Sequence, residues 1–504
     1  MKKASILIII VSILSKLLGF IRETVLAATY GASYVSDAFI FAYGLPATLF
    51  SVVAAAFVTG FIPMYSRVEA NDGDKEANRF LNNVLHVMII FCIVIAAFFL
   101  LVPEVILGFL LPNASAELLS LVIPFTQITV FSVFMTCIIQ LMTGFLQLKN
   151  SFVFPMMMGF PMNIVVITTI VLSRSIGSWI LPYGILISYC LQAALIVAYA
   201  FKKGYRYKFV LDLKDKQLRT MLALAIPLII GSSSTTIGDL INKAILSGFE
   251  GGVSYLNYST RLGGILQSVF GAAITNVAYP SLSRSIARNE TLETHRSFGD
   301  ALISITLFIA PASLGLIVLA QPIVQLVYMR GEFTAEDLAI TVPVFVGYSI
   351  GLLAISLRDL FTRMFYSYQD MKTPMWNSIL MAAIQAGLAI VLFNVIGIAG
   401  VTLSMAISNI VGLGFIALQL RKHLKGFPYR HYLGQAARVL VSSFAMAGVA
   451  YFLYQLVFGQ LESNLIAVAV AIMAGVIVYV VMVLLFRVEA VMELVSSFKR
   501  RLKR

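Results

Sequence analysis

Charged residues are scarce in this chain. They make up 12% of its 504 residues, whereas a soluble domain contains about a quarter. Hydrophobic residues make up 60% of the chain, and the mean hydropathy is +0.94. A soluble globular protein is therefore excluded, and the long apolar runs predict an all-α polytopic membrane protein.

Cysteine and histidine are also rare, with three and four residues respectively. Cys92, Cys137 and Cys190 lie within apolar runs without the spacing of metal ligands, and the histidines are not clustered. Disulfide frameworks, zinc sites and catalytic triads are thus not expected. The chain contains no phosphate-binding loop or dinucleotide motif. We expect a protein that is not an enzyme and that uses no cofactor or resident metal.

Breaks at charged or Pro/Gly-rich positions divide the chain into about fourteen apolar segments. A helix that spans a bilayer needs about 20 such residues. The predicted spans are 4–29, 34–66, 80–103, 118–148, 150–173, 178–201, 217–248, 253–283, 297–321, 337–368, 373–394, 398–421, 432–458 and 463–486. Those longer than thirty residues must tilt, kink or protrude.

The loops between these spans alternate between strongly basic and weakly charged or acidic. By the positive-inside rule, the basic set and both termini are cytoplasmic. The most basic internal loop carries Lys202, Lys203, Arg206, Lys208, Lys214, Lys216 and Arg219. Topology and attraction to anionic membrane lipids account for the net charge of +13. Nucleic acid is not expected as a partner.

The sequence contains an internal repeat. A shift of 217 residues aligns the second predicted span with the eighth, and both end in Pro-x-x-Ser-Arg, at 63–67 and 280–284. An offset of six spans predicts two six-helix lobes in a parallel repeat, a plan used by transporters that work by alternating access. The predicted division is a first lobe at 1–205, a second at 206–425, and two extra helices with a basic tail at 426–504.

Ten ionisable residues fall within the predicted spans. An ionised side chain at bilayer depth costs several kcal/mol unless it faces a partner or a wet cavity. Because cations exceed carboxylates among them, we expect a transported or bound anion. The ten residues are Lys16, Arg22, Glu23, Asp37, Asp239, Lys243, Arg261, Arg358, Asp359 and Arg363.

Arg22 is the strongest candidate for binding a phosphate, because a guanidinium stays charged and contacts oxyanions through two parallel hydrogen bonds. Ser15, Gly19 and Arg22 are spaced to share one helical face. The alternative is an ion pair with Glu23 or Asp37 that only joins the first two spans. Since adjacent helical residues point apart, we expect Glu23 not to neutralise Arg22 fully.

Two further spans carry carboxylates with two interpretations each. Asp37 is either a first-turn carboxylate favoured by the helix dipole or a gating or substrate residue. Asp239 and Lys243 are spaced i,i+4, which favours an internal salt bridge. The alternative is a Na⁺ or H⁺ coupling site at Asp239.

Arg261 has no acidic residue within one helical turn and is the second candidate phosphate ligand. Arg358, Asp359 and Arg363 favour an ion-pair network or gate. Polar residues such as Asn163 are expected to join helices or to line a cavity.

Six segments that carry these residues, taken together, resemble the MurJ (MviN-like) lipid II flippase family. This family belongs to the multidrug/oligosaccharidyl-lipid/polysaccharide exporter superfamily. The segments are SKLLGFIRE at 15–23, SDAF at 36–39, YSTRL at 258–262, PSLSR at 280–284, RGEFTAED at 330–337 and FYSYQDMKTP at 365–374.

The resemblance implies a transporter of the bacterial inner membrane, built as two lobes in a V with two extra helices that form a lipid-tail groove. It implies movement of lipid II, an undecaprenyl-pyrophosphate-linked precursor, from the inner to the outer leaflet. It also implies cell-wall synthesis proteins as partners. The family's cavity residues correspond to Lys16, Arg22, Asp37 and Arg261. Membrane potential, Na⁺ or H⁺ would supply the driving force.

One segment departs from the family. Proteobacterial members have Arg-Arg after the Leu-Pro of the second span, whereas Leu45-Pro46 is followed here by ATLFS at 47–51. A flippase for another undecaprenyl-linked glycan, such as a capsule unit or O-unit, is therefore an alternative. A cation-coupled drug exporter is disfavoured by the basic residues, and a glycan polymerase by the short outer loops. A scaffold without transport activity is a further alternative.

Overall fold

The computed structural model describes residues 2–492, and within 2–10, 46–49, 51–59 and 223–235 it describes the backbone alone. All regular structure in this part of the chain is helical. The chain divides into two compact units. Unit 1 contains residues up to Ser254 together with Arg330–Phe333, and unit 2 contains Tyr255–Met329 and the chain from Thr334 onward.

Unit 1 is built around a long helix, α2, against which α4, α5 and α9 pack. The first helix, α1, packs against α6 and α7, and α8 packs against α5 and α7. The helices are α1 (Lys2–Tyr30), α2 (Tyr34–Leu101), α3 (Pro103–Leu110), α4 (Ala116–Thr129), α5 (Ser132–Leu148), α6 (Val153–Met157), α7 (Gly159–Ile176), a 3₁₀ turn (Ser178–Ile180), α8 (Leu181–Lys202) and α9 (Lys216–Leu246).

Unit 2 is built around α14, which packs against α11, α12, α13 and α16. The two last helices, α17 and α18, pack against each other, and α17 also packs against α12. The helices are α10 (Gly252–Leu266, which begins in unit 1), a π-helical turn (Gln267–Gly271), α11 (Ala272–Ala287), α12 (Thr291–Val318), α13 (Ala320–Tyr328), α14 (Ala335–Ser367), α15 (Lys372–Ile396), α16 (Ile398–Leu420), α17 (Tyr429–Leu461) and α18 (Asn464–Leu485).

Polar residues at the helix starts explain several boundaries. Ser33 caps α2 in a capping box with Ser36, and Thr334 caps α14 in the same way with Asp337. The carboxylate of Asp215 accepts hydrogen bonds from two backbone N–H groups at the start of α9. Such side chains satisfy the first N–H groups, which have no partner within the helix.

The second and third predicted spans are joined without a conventional loop. Residues 67–79, expected to connect them, are helical except at Gly73, where φ is 82° and ψ is 173°. Glycine adopts this conformation without the steric cost that other residues incur. The glycine therefore ends one helical segment and lets the next begin at once.

Ten helices in the described residues are long and apolar enough to cross a membrane, or eleven if the α4–α5 pair, bent by 45°, counts as one span. The spans predicted from α10 onward agree with the observed helices to within a few residues at most ends. Large apolar side chains stay exposed on many of these helices, as a lipid-facing surface requires.

The predicted division into lobes at residues 205 and 425 stays a prediction. The packing places α9 with the helices of unit 1, through its contact with α2. It also places α17 and α18 with unit 2, where Ala450 and Tyr454 of α17 and Ala467 and Ala471 of α18 share an apolar cluster.

Candidate functional site

The guanidinium of Arg22 is buried at the centre of a polar cluster in unit 1. The residue is 4% exposed, and its Nη2 atom lies 2.5 Å from Oε1 of Glu23. Its Nη1 atom donates to Oδ1 of Asn163 on α7, at 3.4 Å. The guanidinium also lies 4.3 Å from the ring centroid of Tyr43 on α2. Arg22 therefore has a carboxylate, an amide and an aromatic ring as neighbours.

The ion pair of Arg22 with Glu23, which the sequence left as an alternative, is present in the structure. Helical geometry directs the two Cβ atoms apart, but both side chains are long. The arginine side chain reaches back to the carboxylate of its sequence neighbour. Such a buried pair stays together, because separating the two side chains would leave two buried charges without compensation.

The face of α1 that carries Ser15, Gly19 and Arg22 packs against α7. A Cβ atom at Gly159 would lie 2.0 Å from the Ser15 hydroxyl, and one at Gly19 would lie 3.9 Å from Oδ1 of Asn163. Small residues at these positions let the two helices approach closely. The predicted common face is confirmed by this contact, whereas a ligand role for Ser15 and Gly19 stays a prediction.

Lys16 is exposed and lies outside this cluster.

Tyr43 and Tyr189, which belong to the surroundings of Arg22, were not identified from the sequence. Their ring centroids are 6.3 Å apart. The only sequence signal was a tyrosine in each of two apolar spans, which is common in membrane helices and does not indicate contact with an arginine.

Asp37 is fully buried and bonded to the start of α10. Its Oδ1 atom accepts hydrogen bonds from the backbone N–H of Ser254, at 2.7 Å, and from the Ser254 hydroxyl, at 2.6 Å. The two residues are 217 positions apart, which is the offset of the internal repeat. They thus occupy equivalent positions near the starts of α2 and α10. This environment favours the structural interpretation of Asp37 over direct contact with a substrate.

Asp239 and Lys243 lie near the end of α9 in unit 1. Asp239 is exposed and Lys243 is half-buried. The Lys243 ammonium lies 6.0 Å from the ring centroid of Phe41 and 3.5 Å from where a Cβ atom of Gly44 would be. The lysine therefore extends to α2. The ion-coupling role of Asp239 stays a prediction.

Arg261 belongs to unit 2 and is exposed on α10. Its Nε atom donates to the side chain of Asn257, one turn earlier, at 3.4 Å. The neighbouring Tyr258 is buried, and its carbonyl accepts a hydrogen bond from the hydroxyl of Tyr328. The tyrosine pair anchors this part of α10 in the core and leaves the arginine head at the surface of the unit.

The charged group on α14 forms a smaller network than the sequence predicted. Arg363 pairs with Asp359, one turn apart, at 3.7 Å. Arg358 instead directs its Nη1 atom to the sulfur of Met381 on α15, at 3.0 Å, and its Nε atom has no hydrogen-bond partner. Asp359 and Arg363 are thus paired, whereas the hydrogen bond of Arg358 is directed to α15.

No group of three or more His, Cys, Asp or Glu side chains within the described residues is arranged to hold a metal ion. The arrangement in unit 1 is instead a buried cation with polar neighbours, set in a bundle of apolar helices. A permanently charged donor at such a site suits binding of an oxyanion rather than bond-making chemistry.

A polytopic helical bundle with buried ionisable residues is typical of membrane transporters. The model of the family described as "Lipid II flippase MurJ" matches residues 26–472, and the chain belongs to this family.

Curated relatives and solved structures agree with this assignment. A protein of Rhizobium meliloti named "Probable lipid II flippase MurJ" is 27% identical over 451 residues, which cover 87% of this chain and 84% of the relative. A solved structure of lipid II flippase MurJ in an inward closed conformation matches with a TM-score of 0.82 and 24% identity, over 99% of this chain and 100% of that one.

A multidrug resistance MATE transporter of the MOP superfamily in an inward-facing conformation matches with a TM-score of 0.70 and 15% identity. The match covers 82% of this chain and 95% of that chain. The predicted family and the class of transporter are therefore confirmed, as is a multi-pass protein of the inner membrane. The two solved structures show that the fold is shared.

Proposed function

We propose that this protein flips lipid II from the inner to the outer leaflet of the bacterial plasma membrane by alternating access. The match of the family model over residues 26–472 carries this proposal. Lipid II contains a pyrophosphate, which cannot cross hydrocarbon unaided because its charges would lose their hydration. The protein must therefore supply cations at membrane depth.

Arg22 is the proposed pyrophosphate ligand of unit 1. Its Nε atom has no hydrogen-bond partner, so the guanidinium retains an unused donor. A phosphate could accept from Nε and one terminal nitrogen in the paired geometry that arginine favours. Glu23 occupies a terminal nitrogen in this structure, and the pyrophosphate would compete with that carboxylate for it.

Arg261 is the proposed ligand of unit 2, and Lys16 a further cation for the same cargo. Both are exposed on their units. Arg261 contacts the uncharged amide of Asn257, so binding a phosphate there would not require a buried ion pair to be broken. Binding a phosphate at Arg261 should therefore cost less free energy than at Arg22, where the phosphate must compete with Glu23.

The polyprenyl tail of the cargo is proposed to stay in lipid beside α17 and α18. Both helices expose large apolar side chains, including Phe444, Phe452, Met473 and Ile477. A long hydrocarbon chain gains from covering such a surface. The two helices would then hold the tail while the headgroup crosses.

The driving force is proposed to be the membrane potential, with a Na⁺ or H⁺ contribution through Asp239. An inside-negative potential favours outward movement of an anion by about 2.3 kcal/mol per charge per 100 mV. We further propose that both termini are cytoplasmic, as the basic loops indicate. The product would serve peptidoglycan synthesis in the outer leaflet, with cell-wall synthesis proteins as partners.

A flippase for another undecaprenyl-linked glycan is the second candidate. It is favoured by one observation: residues 47–51 read ATLFS where proteobacterial members of the family carry arginines. Both candidates share the pyrophosphate and the polyprenyl tail, so they differ only in the sugar that the protein must accept.

Complementation of a conditional lipid II flippase depletion strain tests the proposal. We expect the wild type to restore growth, and Arg22→Ala and Arg261→Ala to fail at equal membrane expression. Arg288→Ala is the matched control, because this arginine is 71% exposed in its side chain and lies in a loop. Because Arg22→Ala leaves the buried Glu23 without its partner, the double variant Arg22→Ala/Glu23→Ala is included.

The outcomes separate the parts of the proposal. Failure of a well-expressed wild type would contradict lipid II as cargo and favour another undecaprenyl-linked glycan. Growth with either arginine variant would contradict that arginine's proposed role. Growth with the double variant but not with Arg22→Ala alone would show that the single variant fails through its unpaired carboxylate.

A further inference from the structure

The linker between α8 and α9 forms a basic groove with the second half of α2. The groove has a volume of about 1100 Å³. Six cationic and two acidic residues line it, which leaves a net charge of +4. The six cations are Lys75, Arg79, Lys149, Lys203, Arg206 and Lys208. All lie in unit 1.

Asparagine side chains of α2 fix the linker in place. Asn82 donates to the carbonyl of Arg206 at 2.9 Å, and Asn78 accepts from the N–H of the same residue at 3.1 Å. Asn83 both donates to and accepts from the backbone of Asp212, at 2.9 and 2.7 Å. A non-helical segment bonded in this way at two points is preorganised, so a ligand would not have to order it.

The cations of the groove are unequally available. Lys149 pairs with Glu69 and Asp74, and Arg79 pairs with Glu76. The linker cations Lys203, Arg206 and Lys208 are exposed, and no ion pair involves them among the described residues. The linker therefore supplies three cations of the groove whose charge is free to bind an anion.

The same linker carries a row of exposed apolar side chains at alternate positions. Tyr207, Phe209, Leu211 and Leu213 are between 45% and 70% exposed. His86 of α2 supports the start of the row, since its ring centroid lies 4.7 Å from that of Phe209 and 5.7 Å from that of Tyr207. Aromatic residues next to cations are typical of the boundary between membrane and water.

The position of the linker along α2 corresponds to that boundary. Asn83 precedes Ile90 by seven residues, or about 10 Å of helix. From Ile90 onward, α2 exposes Phe91, Ile93, Val94 and Phe98, as a lipid-facing helix does. The linker thus lies about two helical turns from the lipid-facing surface, and its basic character predicts the cytoplasmic side.

We propose that this groove binds the headgroup of an anionic phospholipid of the cytoplasmic leaflet, while the apolar row of the linker rests in the acyl boundary of the same leaflet. A soluble phosphate could use the cations, but it would leave the four exposed apolar side chains uncovered. A lipid satisfies both, because its phosphate and its chains are joined.

The test measures lipid binding to the purified full-length protein by native mass spectrometry, with phosphatidylglycerol and phosphatidylcholine as probes. The linker variant is Lys203→Gln/Arg206→Gln/Lys208→Gln. The matched control is Lys422→Gln/Lys425→Gln/Arg430→Gln, which removes three exposed cations from the loop before α17 and the first turn of that helix, a region predicted to be cytoplasmic.

We expect the linker variant to bind phosphatidylglycerol at least about tenfold more weakly, with phosphatidylcholine binding unchanged and the control within about twofold of the wild type. An equal loss in both variants would show an effect of net charge and overturn the site. Displacement of the lipid by glycerol phosphate would show a site for soluble anions and also overturn it.

A second measurement tests the apolar row. Phe209→Trp in vesicles that contain brominated lipid should show fluorescence quenching beyond that of the parent protein, whose tryptophans are Trp179 and Trp376. Absence of added quenching would overturn the placement of the linker in the leaflet. Neither measurement depends on transport, so both stand apart from the proposed flippase function.

Discussion

The buried pair of Arg22 and Glu23 allows a quantitative prediction. The two residues are 4% and 3% exposed, and the charged atoms are 2.5 Å apart. Removing one partner of a buried pair costs about 3–5 kcal/mol, because the remaining charge stays buried without compensation. Removing both partners avoids this penalty. We therefore expect Arg22→Ala and Glu23→Ala each to destabilise the protein strongly, and the double variant to be far more stable than either.

Strong non-additivity is the expected signature. If the single substitutions each cost about 3 kcal/mol, additive behaviour would give about 6 kcal/mol for the double variant. The pair instead predicts a loss in the double variant below that of either single variant. Asn163, which also accepts from Arg22, reduces the penalty in Glu23→Ala, so we expect Arg22→Ala to be the less stable of the two.

Thermal unfolding of the purified variants in one detergent, followed by intrinsic fluorescence, provides the assay. Ser120→Ala serves as a control, since this exposed hydroxyl donates only to a local carbonyl. We expect unfolding temperatures several degrees below the wild type for the single variants. Additive losses in the double variant would refute the buried pair as the source of the effect.

Two further predictions concern helix packing and pH. Gly351→Ala should destabilise the protein by about 1–3 kcal/mol, because its Cβ atom would lie 2.9 Å from the Ala406 backbone. A Cβ atom at Gly414 would meet open space, so Gly414→Ala should stabilise the protein by up to about 1 kcal/mol. Thermal unfolding of the two variants measures both effects. The pKa of Asp370 is lowered, since hydrogen bonds from Thr373 outweigh the effect of burial. Its stabilising contribution is thus present above the unfolded pKa of about 3.9 and is lost as the pH falls. The unfolding temperatures of the wild type and of Asp370→Asn, measured between about pH 3 and 7, should therefore approach each other at the acid end. A difference in unfolding temperature that does not change with pH would contradict the assignment.

The internal repeat gains a physical meaning from Asp37 and Ser254. The two residues are equivalent in the repeat, yet one is a carboxylate acceptor and the other a hydroxyl donor. The two copies of the repeat thus carry a complementary acceptor and donor at this position. A repeat can be detected from spacing alone, but this pairing follows from the difference between its copies.

The sequence by itself determined the membrane class, most of the spans and the position of Arg22 within an apolar span. Apolar runs and their charged breaks are local properties, so a single chain displays them directly. The shared face of Ser15, Gly19 and Arg22 follows from helical periodicity, which is equally local. The resemblance to the family rests on segments such as SKLLGFIRE and needs no coordinates.

Only the tertiary structure decided which partners these residues have. The pairing of Arg22 with Glu23 depends on side-chain torsions that allow the guanidinium to reach back, which backbone periodicity does not encode. The contact of Asn163 with Arg22 joins residues 141 positions apart, and the bonds of Asn82 to the α8–α9 linker span 124. Contacts at such separations depend on how whole helices pack, because each local segment is compatible with many neighbours.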